Sequence, residues 1–360
     1  MTKCEQCGTE FSNWFGDVKR VCPRCEQQAS PQILPPEAAG QPAAPKLVLP
    51  APIVTRVLIG INVAVYLAMV LSTRQFLDFD TPTVLKWGAD FAVLTTSGEW
   101  WRMLTAMFLH GGLLHIAVNM WALRNLGYTC ELFYGRRNFT IIYMLSGLAG
   151  SAGTMIWDPV RISVGASGAI FGVAGALAAL VYFKKLPVDR AVLKRDIGSI
   201  GAVIVVNLLI GGSVGIIDNS AHVGGLIAGT LLGIALPAVI FRAEREKSAA
   251  LGNAAAVGVL CVIIAIAAVC KIRVAGDVEA YRAVEAYYAG NKTAAYQHAA
   301  RAADMHPQSA GANKIIGSLL LEQGQYEKAL PFLQKAFDQN PKDPDLKSML
   351  DDAARGTPQK

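Results

Sequence analysis

A serine and a histidine stand at the mouths of two different apolar stretches, in Gly165-Ala166-Ser167-Gly168 and in Ala221-His222-Val223-Gly224-Gly225. A third stretch opens with His110-Gly111-Gly112-Leu113-Leu114-His115 and runs on to Asn119. A lone serine in an apolar helix is cheap, because its hydroxyl bonds back to the helix. Histidine in such a setting is costly and needs a job or a partner. A neutral imidazole can take the proton of a serine hydroxyl, so Ser167 and His222 are a candidate nucleophile and general base. His115 and Asn119, four residues apart and on one helical face, are candidate donors to an oxyanion, with the backbone N–H of Ser167 as a third. His110 is either an auxiliary group that donates or orders water, or a satisfied interfacial histidine. Asp218 lies one helical turn before His222 and toward water, so a two-residue dyad is expected in place of a triad. Phe171 is either a core side chain or a ring that packs on the imidazole.

Such a pair needs two backbones in close approach. Gly225, Gly229 and Gly233 recur every fourth residue, and Gly168 with Gly172 offers a matching flat face. Close helix packing is the ordinary meaning of such small residues, and it supplies the approach a dyad requires. The medium is a membrane: the 360 residues are 53% hydrophobic and only 17% charged, with a mean hydropathy of +0.36, as in polytopic membrane proteins. Seven stretches approach the ~20 residues that cross a bilayer: 53–71, 109–126, 139–157, 167–183, 197–217, 222–241 and 251–270. Arg136 and Arg137, the cations from Lys184 to Arg195, and Arg242 to Lys247 follow spans two, four and six. These cations put the N-terminus in the cytoplasm and, after seven spans, the C-terminal residues outside. Lys271 and Arg273 argue weakly the other way. Met1 to Ser30 has no apolar signal-peptide core, so the first span is expected to act as an uncleaved anchor. The loop from 72 to 109 is rich in aromatics and is expected to lie in the outer leaflet. A net charge of +6 without a dense basic run does not imply a nucleic-acid partner.

Both ends carry other modules. Cys4-x2-Cys7 and Cys22-x2-Cys25 repeat the spacing of a four-thiolate site, which predicts a zinc-ribbon-like module over 1–28. Redox or regulatory thiols are the alternative. A closed four-cysteine site has no open position, so the zinc is structural and none is expected for catalysis. Cys130, Cys261 and Cys270 read as small buried apolar residues. A Pro/Ala-rich linker covers 29–52. Over 277–356 a period of 34 residues pairs Gly290 with Gly324, Ala295 with Ala329, Ala302 with Ala336 and Pro307 with Pro341. That pattern predicts tetratricopeptide-like helical repeats. The first copy departs from it, with Ala283 where Gly is usual and Lys292 where Tyr is usual. The repeats form either a groove for a protein partner or a passive cap.

Taken together, Gly98-Glu99-Trp100-Trp101-Arg102, His110…His115…Asn119, Gly127-x3-Glu131-x3-Gly135, Gly165-Ala166-Ser167-Gly168 and Ala221-His222-x2-Gly225 resemble the rhomboid intramembrane serine proteases. The resemblance covers 53–241 and leaves both end modules outside. It implies an all-α polytopic protein: a six-helix rhomboid core over 53–241, with a seventh transmembrane helix over 249–271 added to it. It further implies Ser167 as nucleophile, His222 as base, His115 and Asn119 as oxyanion donors, His110 as the additional family histidine and Phe171 as a ring stacked on His222. Arg102 and Glu131 match structural polar positions. The expected activity is cleavage of transmembrane segments of other proteins through an acyl-enzyme, in a bacterial inner membrane. A non-proteolytic scaffold that binds transmembrane helices and partner proteins is the alternative, and a transporter a more distant one.

Overall fold

A computed structural model describes residues 2–11, 21, 25, 51–183, 218–238 and 245–356. The chain divides into two compact units, residues 1–49 and 50–360. In the first, β1 (Thr2–Lys3) pairs antiparallel with β2 (Glu10–Phe11) around a turn that holds Cys4 and Cys7. Cys22, linker residues 29–50 and the expected fifth span, 197–217, lie outside the described residues. So do the cations from Lys184 to Arg195, and Arg242.

The second unit begins with α1 (Ile53–Thr73). Its first turn leaves orphan backbone N–H groups, which in lipid must find acceptors. The Glu131 carboxylate supplies them, accepting from Val54 N at 3.0 Å, Thr55 N at 2.8 Å and Thr55 Oγ1 at 2.8 Å. The first loop is a built structure: α2 (Thr81–Trp87), β3 (Asp90–Phe91), α3 (Ala92–Thr96), α4 (Arg102–Thr105) and a 3-10 turn over Ala106–Phe108. Arg102 ties it together. Its Nε donates to Glu99 Oε2 at 2.7 Å, and its Nη1 donates to the carbonyls of Leu85 and Ala89.

The second span was expected from residue 109, but α5 (Leu113–Ala122) starts four residues later. Phe79 N donates to Gly111 O and Leu113 N donates to Leu77 O, which holds His110–Gly112 extended against the first loop. A wide π turn over Leu123–Gly127 carries α5 into α6 (Tyr128–Trp157). The helical run breaks at Gly135, where φ 75° and ψ 166° leave the helical region, and the chain reverses there. The Ser151 hydroxyl can therefore donate back to Met103 O.

Next come β4 (Ile162–Ser163), α7 (Ser167–Phe183), α8 (Asn219–Ala235) and α9 (Arg245–Arg273). Among the described residues, Ile53–Thr73, Leu113–Trp157 and Ala249–Arg273 are long and apolar enough to cross a membrane, and Ser167–Phe183 is a shorter apolar helix. Leu251, Val257, Val262 and Ile264 are exposed on α9, as a lipid-facing helix requires. Cys130 and Cys270 are buried as expected. Cys261 is exposed on that outer face, a correction to its sequence reading.

The repeats are α10 (Ala275–Tyr288), α11 (Lys292–Met305), α12 (Ala310–Glu322), α13 (Tyr326–Gln339) and a closing α14 (Pro344–Arg355). The left-handed turns at Gly290 (φ 79°) and Gly324 (φ 70°) sit one period apart. No spacer separates span and repeat. Only Val274 interrupts the helix between α9 and α10, and it is buried in a cluster with Ala92, Val93, Met103, Met155, Cys270 and Val278. The first repeat helix therefore packs directly on the first loop. Beyond that join, burial alone would raise the Glu279 carboxyl, but hydrogen bonds from Arg301, His298 and Arg282 hold it at about 2.

Candidate active site

Two helices meet where neither has a side chain in the way. A Cβ on Gly225 would lie 1.9 Å from Gly168 O, and one on Gly229 would lie 2.0 Å from Gly172 O. A Cβ on Gly233 would lie 2.5 Å from Ala176 Cα. Any side chain there forces α7 and α8 apart. Tyr134 closes the far end of this seam, donating its hydroxyl toward Ala176 O and Gly233 O, at 3.0 and 2.8 Å.

At the near end, His222 Nε2 lies 2.9 Å from Ser167 Oγ. Phe171 stacks flat on the imidazole, with ring centroids 4.0 Å apart and planes 7° from parallel. His222 is buried, and its Nδ1 has no hydrogen-bond partner among the described residues. Among the described residues, no carboxylate orients this ring through Nδ1. For Nε2 to accept the serine proton, the ring proton must sit on Nδ1.

Asp218 does something the sequence reading missed. It was placed toward water, yet it is half-buried and caps α8. Its Oδ1 accepts from Ala221 N at 3.1 Å and from Ser220 Oγ, and its Oδ2 accepts from Thr154 Oγ1 at 2.6 Å. The carboxylate fixes the helix turn that carries His222 and pins it to the end of α6. The signal was present: Asp218-Asn219-Ser220 before an apolar run is a helix-start pattern.

Ser167 opens α7 directly after a strained approach. Gly165 has φ 127°, a backbone region that favours glycine, and its N–H donates to Ala106 O at 2.9 Å. A Cβ on Gly165 would lie 2.9 Å from His115 Nε2, so the imidazole edge of His115 faces the serine loop. The Gly111 N–H donates to His115 Nδ1 at 3.3 Å, which leaves the ring proton on Nε2, the nitrogen facing that loop. Asn119 Nδ2 donates one hydrogen to His115 O at 2.9 Å and keeps a second. His110 is fully buried, edge-on to His115 with centroids 5.1 Å apart, and neither of its ring nitrogens has a partner among the described residues. A small cleft lined by Met107, Gly150, Val164, Gly165 and Ala221 reaches Ser167.

In the N-terminal unit the thiol sulfurs of Cys4, Cys7 and Cys25 all lie within 4.8 Å of one another. The knuckle turn is set by Gly8 N donating to Cys4 O and by Gly8 at φ 72°. Three converging thiols, two of them from one tight turn, fit a soft metal ion.

Residues 97–239 match the family model for the Rhomboid domain, and 286–352 match a tetratricopeptide repeat. The chain is 34% identical over 270 residues to "Rhomboid protease GluP" of Bacillus subtilis, covering 73% of this chain and 50% of that protein. It is 32% identical over 204 residues to "Rhomboid protease AarA" of Providencia stuartii, covering 50% of this chain and 71% of that one. "RHOMBOID-like protein 5" of Arabidopsis thaliana is 36% identical over 160 residues, or 43% of this chain and 50% of the relative. The matched region thus spans about half the length of the first and third of these relatives.

Proposed function

Because the chain belongs to the rhomboid family, we propose that it is an intramembrane serine endopeptidase working through a Ser167–His222 dyad. The observation that carries this is the 2.9 Å contact between Ser167 Oγ and His222 Nε2, beneath the stacked Phe171 ring. His222 Nε2 takes the Ser167 proton as Oγ adds to the scissile carbonyl carbon. The resulting oxyanion accepts hydrogen bonds from the Nε2–H of His115, the Asn119 amide and the Ser167 backbone N–H. His222 then returns the proton to the departing amine, the C–N bond breaks, and the new N-terminus leaves. Water, deprotonated by His222, adds to the ester carbonyl and releases Ser167 with the carboxylate product. His110 is an auxiliary that orders this water.

The substrate is a transmembrane segment of another protein. Its helix must open locally, since a hydrogen-bonded helix hides its carbonyls, and Gly or Pro near the scissile bond lowers that cost. The direct test incubates the purified protein with a generic transmembrane substrate beside a Ser167→Ala control. Equal product in both, or none from either, sinks the reading.

The N-terminal cysteines hold structural zinc, with Cys22 completing the set. Purified protein should carry about one zinc per chain. That zinc should disappear when Cys4, Cys7, Cys22 and Cys25 become Ser, while membrane-core cleavage is retained. A metal-free protein with a Cys4–Cys7 disulfide, isolated from intact cells, would overturn this assignment.

The repeats lie outside the cytoplasm, in a protein of the bacterial inner membrane whose N-terminus is cytoplasmic. Arg136 and Arg137 stand at the reversal of α6, while the first loop, the mouth of the dyad and the α9–α10 join share the opposite end. The repeats can therefore hold a substrate's outer segment beside the site and raise its local concentration. Deleting 290–360 keeps the contact of α10 with the first loop. The truncation should raise KM for a full-length substrate and leave it unchanged for a bare transmembrane peptide. An equal effect on both substrates would refute recruitment.

A further inference from the structure

Asp90 is only 1% exposed, yet it serves no part of the mechanism above. Its Oδ1 accepts from Thr95 Oγ1 at 2.6 Å, and its Oδ2 has no hydrogen-bond partner among the described residues. A buried carboxylate with an unpaired oxygen is costly unless a cation answers it. The cation nearby is Arg102, whose guanidinium is already engaged by Glu99 and by two loop carbonyls. From α8 the facing group is the Asp218 carboxylate, which is of like sign. From α9 it is the Cys270 thiol, with Arg273 beyond it donating to Ile156 O. From β4 it is Ser163, the residue paired with Asp90 across the two-stranded sheet.

The position matters as much as the environment. Ser163 leads in four residues to Ser167, and Asp218 leads in four residues to His222. Behind Asp90 lies the α9–α10 cluster, where Ala92 and Val93 meet Cys270, Val274 and Val278. One side chain thus stands where the first loop, the approach to the nucleophile, the cap of the base's helix and the root of the repeats come together.

We propose that Asp90 is a positioning residue for the Ser167–His222 pair, joining these four segments only while its carboxyl is protonated. This rests on the proteolytic reading for its effect on rate, but not for its effect on stability. Burial pushes the Asp90 carboxyl up to about 7, with Asp218 adding to the shift and the Thr95 hydroxyl and Arg102 opposing it. The folded value lies above the ordinary ~3.9, so the folded chain keeps a proton that the unfolded chain has lost. The stability gained falls as pH rises from about 4, and the loss levels off above about 7.

The test compares the full chain with Asp90→Asn and Thr95→Val in detergent, from about pH 5.5 to about pH 9. For the parent, kcat/KM should fall above about 7. Asp90→Asn, which is uncharged at every pH, should lose that descending limb. Thr95→Val removes the hydrogen bond that favours the anion, so its limb should move to higher pH. In an active parent, the absence of a limb, or a limb unchanged in both variants, overturns the proposal. Thermal unfolding supplies a readout free of catalysis: the melting advantage of the parent over Asp90→Asn should shrink as pH rises toward neutrality. A constant difference overturns the proposal too. An inactive parent that still shows the shrinking difference would sink the proteolytic reading and leave the Asp90 join standing.

Discussion

Ser167→Ala and His222→Ala should each cut cleavage of a transmembrane substrate by about 10⁴-fold or more, to background, with the protein still folded in detergent. The two residues act as one unit. Without Oγ nothing attacks the carbonyl, and without Nε2 the hydroxyl keeps its proton. The double variant should therefore be little worse than either single one. Folding should survive because the seam between α7 and α8 depends on glycine contacts rather than on the dyad hydrogen bond. That bond contributes only about 1 kcal/mol. Circular dichroism and gel filtration, run beside the activity assay, separate loss of chemistry from loss of fold. Normal turnover by Ser167→Ala would end the dyad mechanism.

Loss of an oxyanion donor should be graded. His115→Ala and Asn119→Ala should each lower kcat by roughly 10²–10³-fold with KM little changed, because each removes a donor used mainly in the transition state. His115 is positioned for this by two features. Its Nε2 edge faces the Gly165 backbone, and the Gly111 N–H on Nδ1 selects the donating tautomer. Asn119 already spends one hydrogen on His115 O, so the two donors are linked, and their double variant should fall short of the product of the singles. If Asn119→Ala matches the parent, Asn119 is a packing residue of α5.

Much of this arrangement was legible in the sequence because each part is periodic or local. Glycines at every fourth position declare a flat helix face, and two such faces declare which helices meet. The 34-residue period likewise declared paired helices before any contact was known. Legibility failed where burial depends on segments distant in the chain. Asp218 was read toward water because one turn before a span normally is. The end of α6 folds over it, and Thr154 takes up its second oxygen. Asp90 carries no pattern at all, since four separate segments enclose it. The late start of α5 has the same origin: Leu77 and Phe79 hold the Gly111–Leu113 backbone in an extended pairing that periodicity within the span cannot reveal. The direct passage of α9 into α10 was not legible because composition changes there, from the apolar seventh span ending at 271 to the repeats beginning at 277, whereas Val274 and Val278 span that boundary and pack on the first loop.

The central claim is that the Ser167 hydroxyl is a nucleophile activated by His222. Its most direct measurement treats the purified protein with a serine-directed fluorophosphonate and maps the adduct by mass spectrometry. The expected result is a single adduct on Ser167, formed slowly or not at all in His222→Ala and absent from Ser167→Ala. An adduct on another serine, or undiminished labelling of Ser167 in His222→Ala, would contradict it.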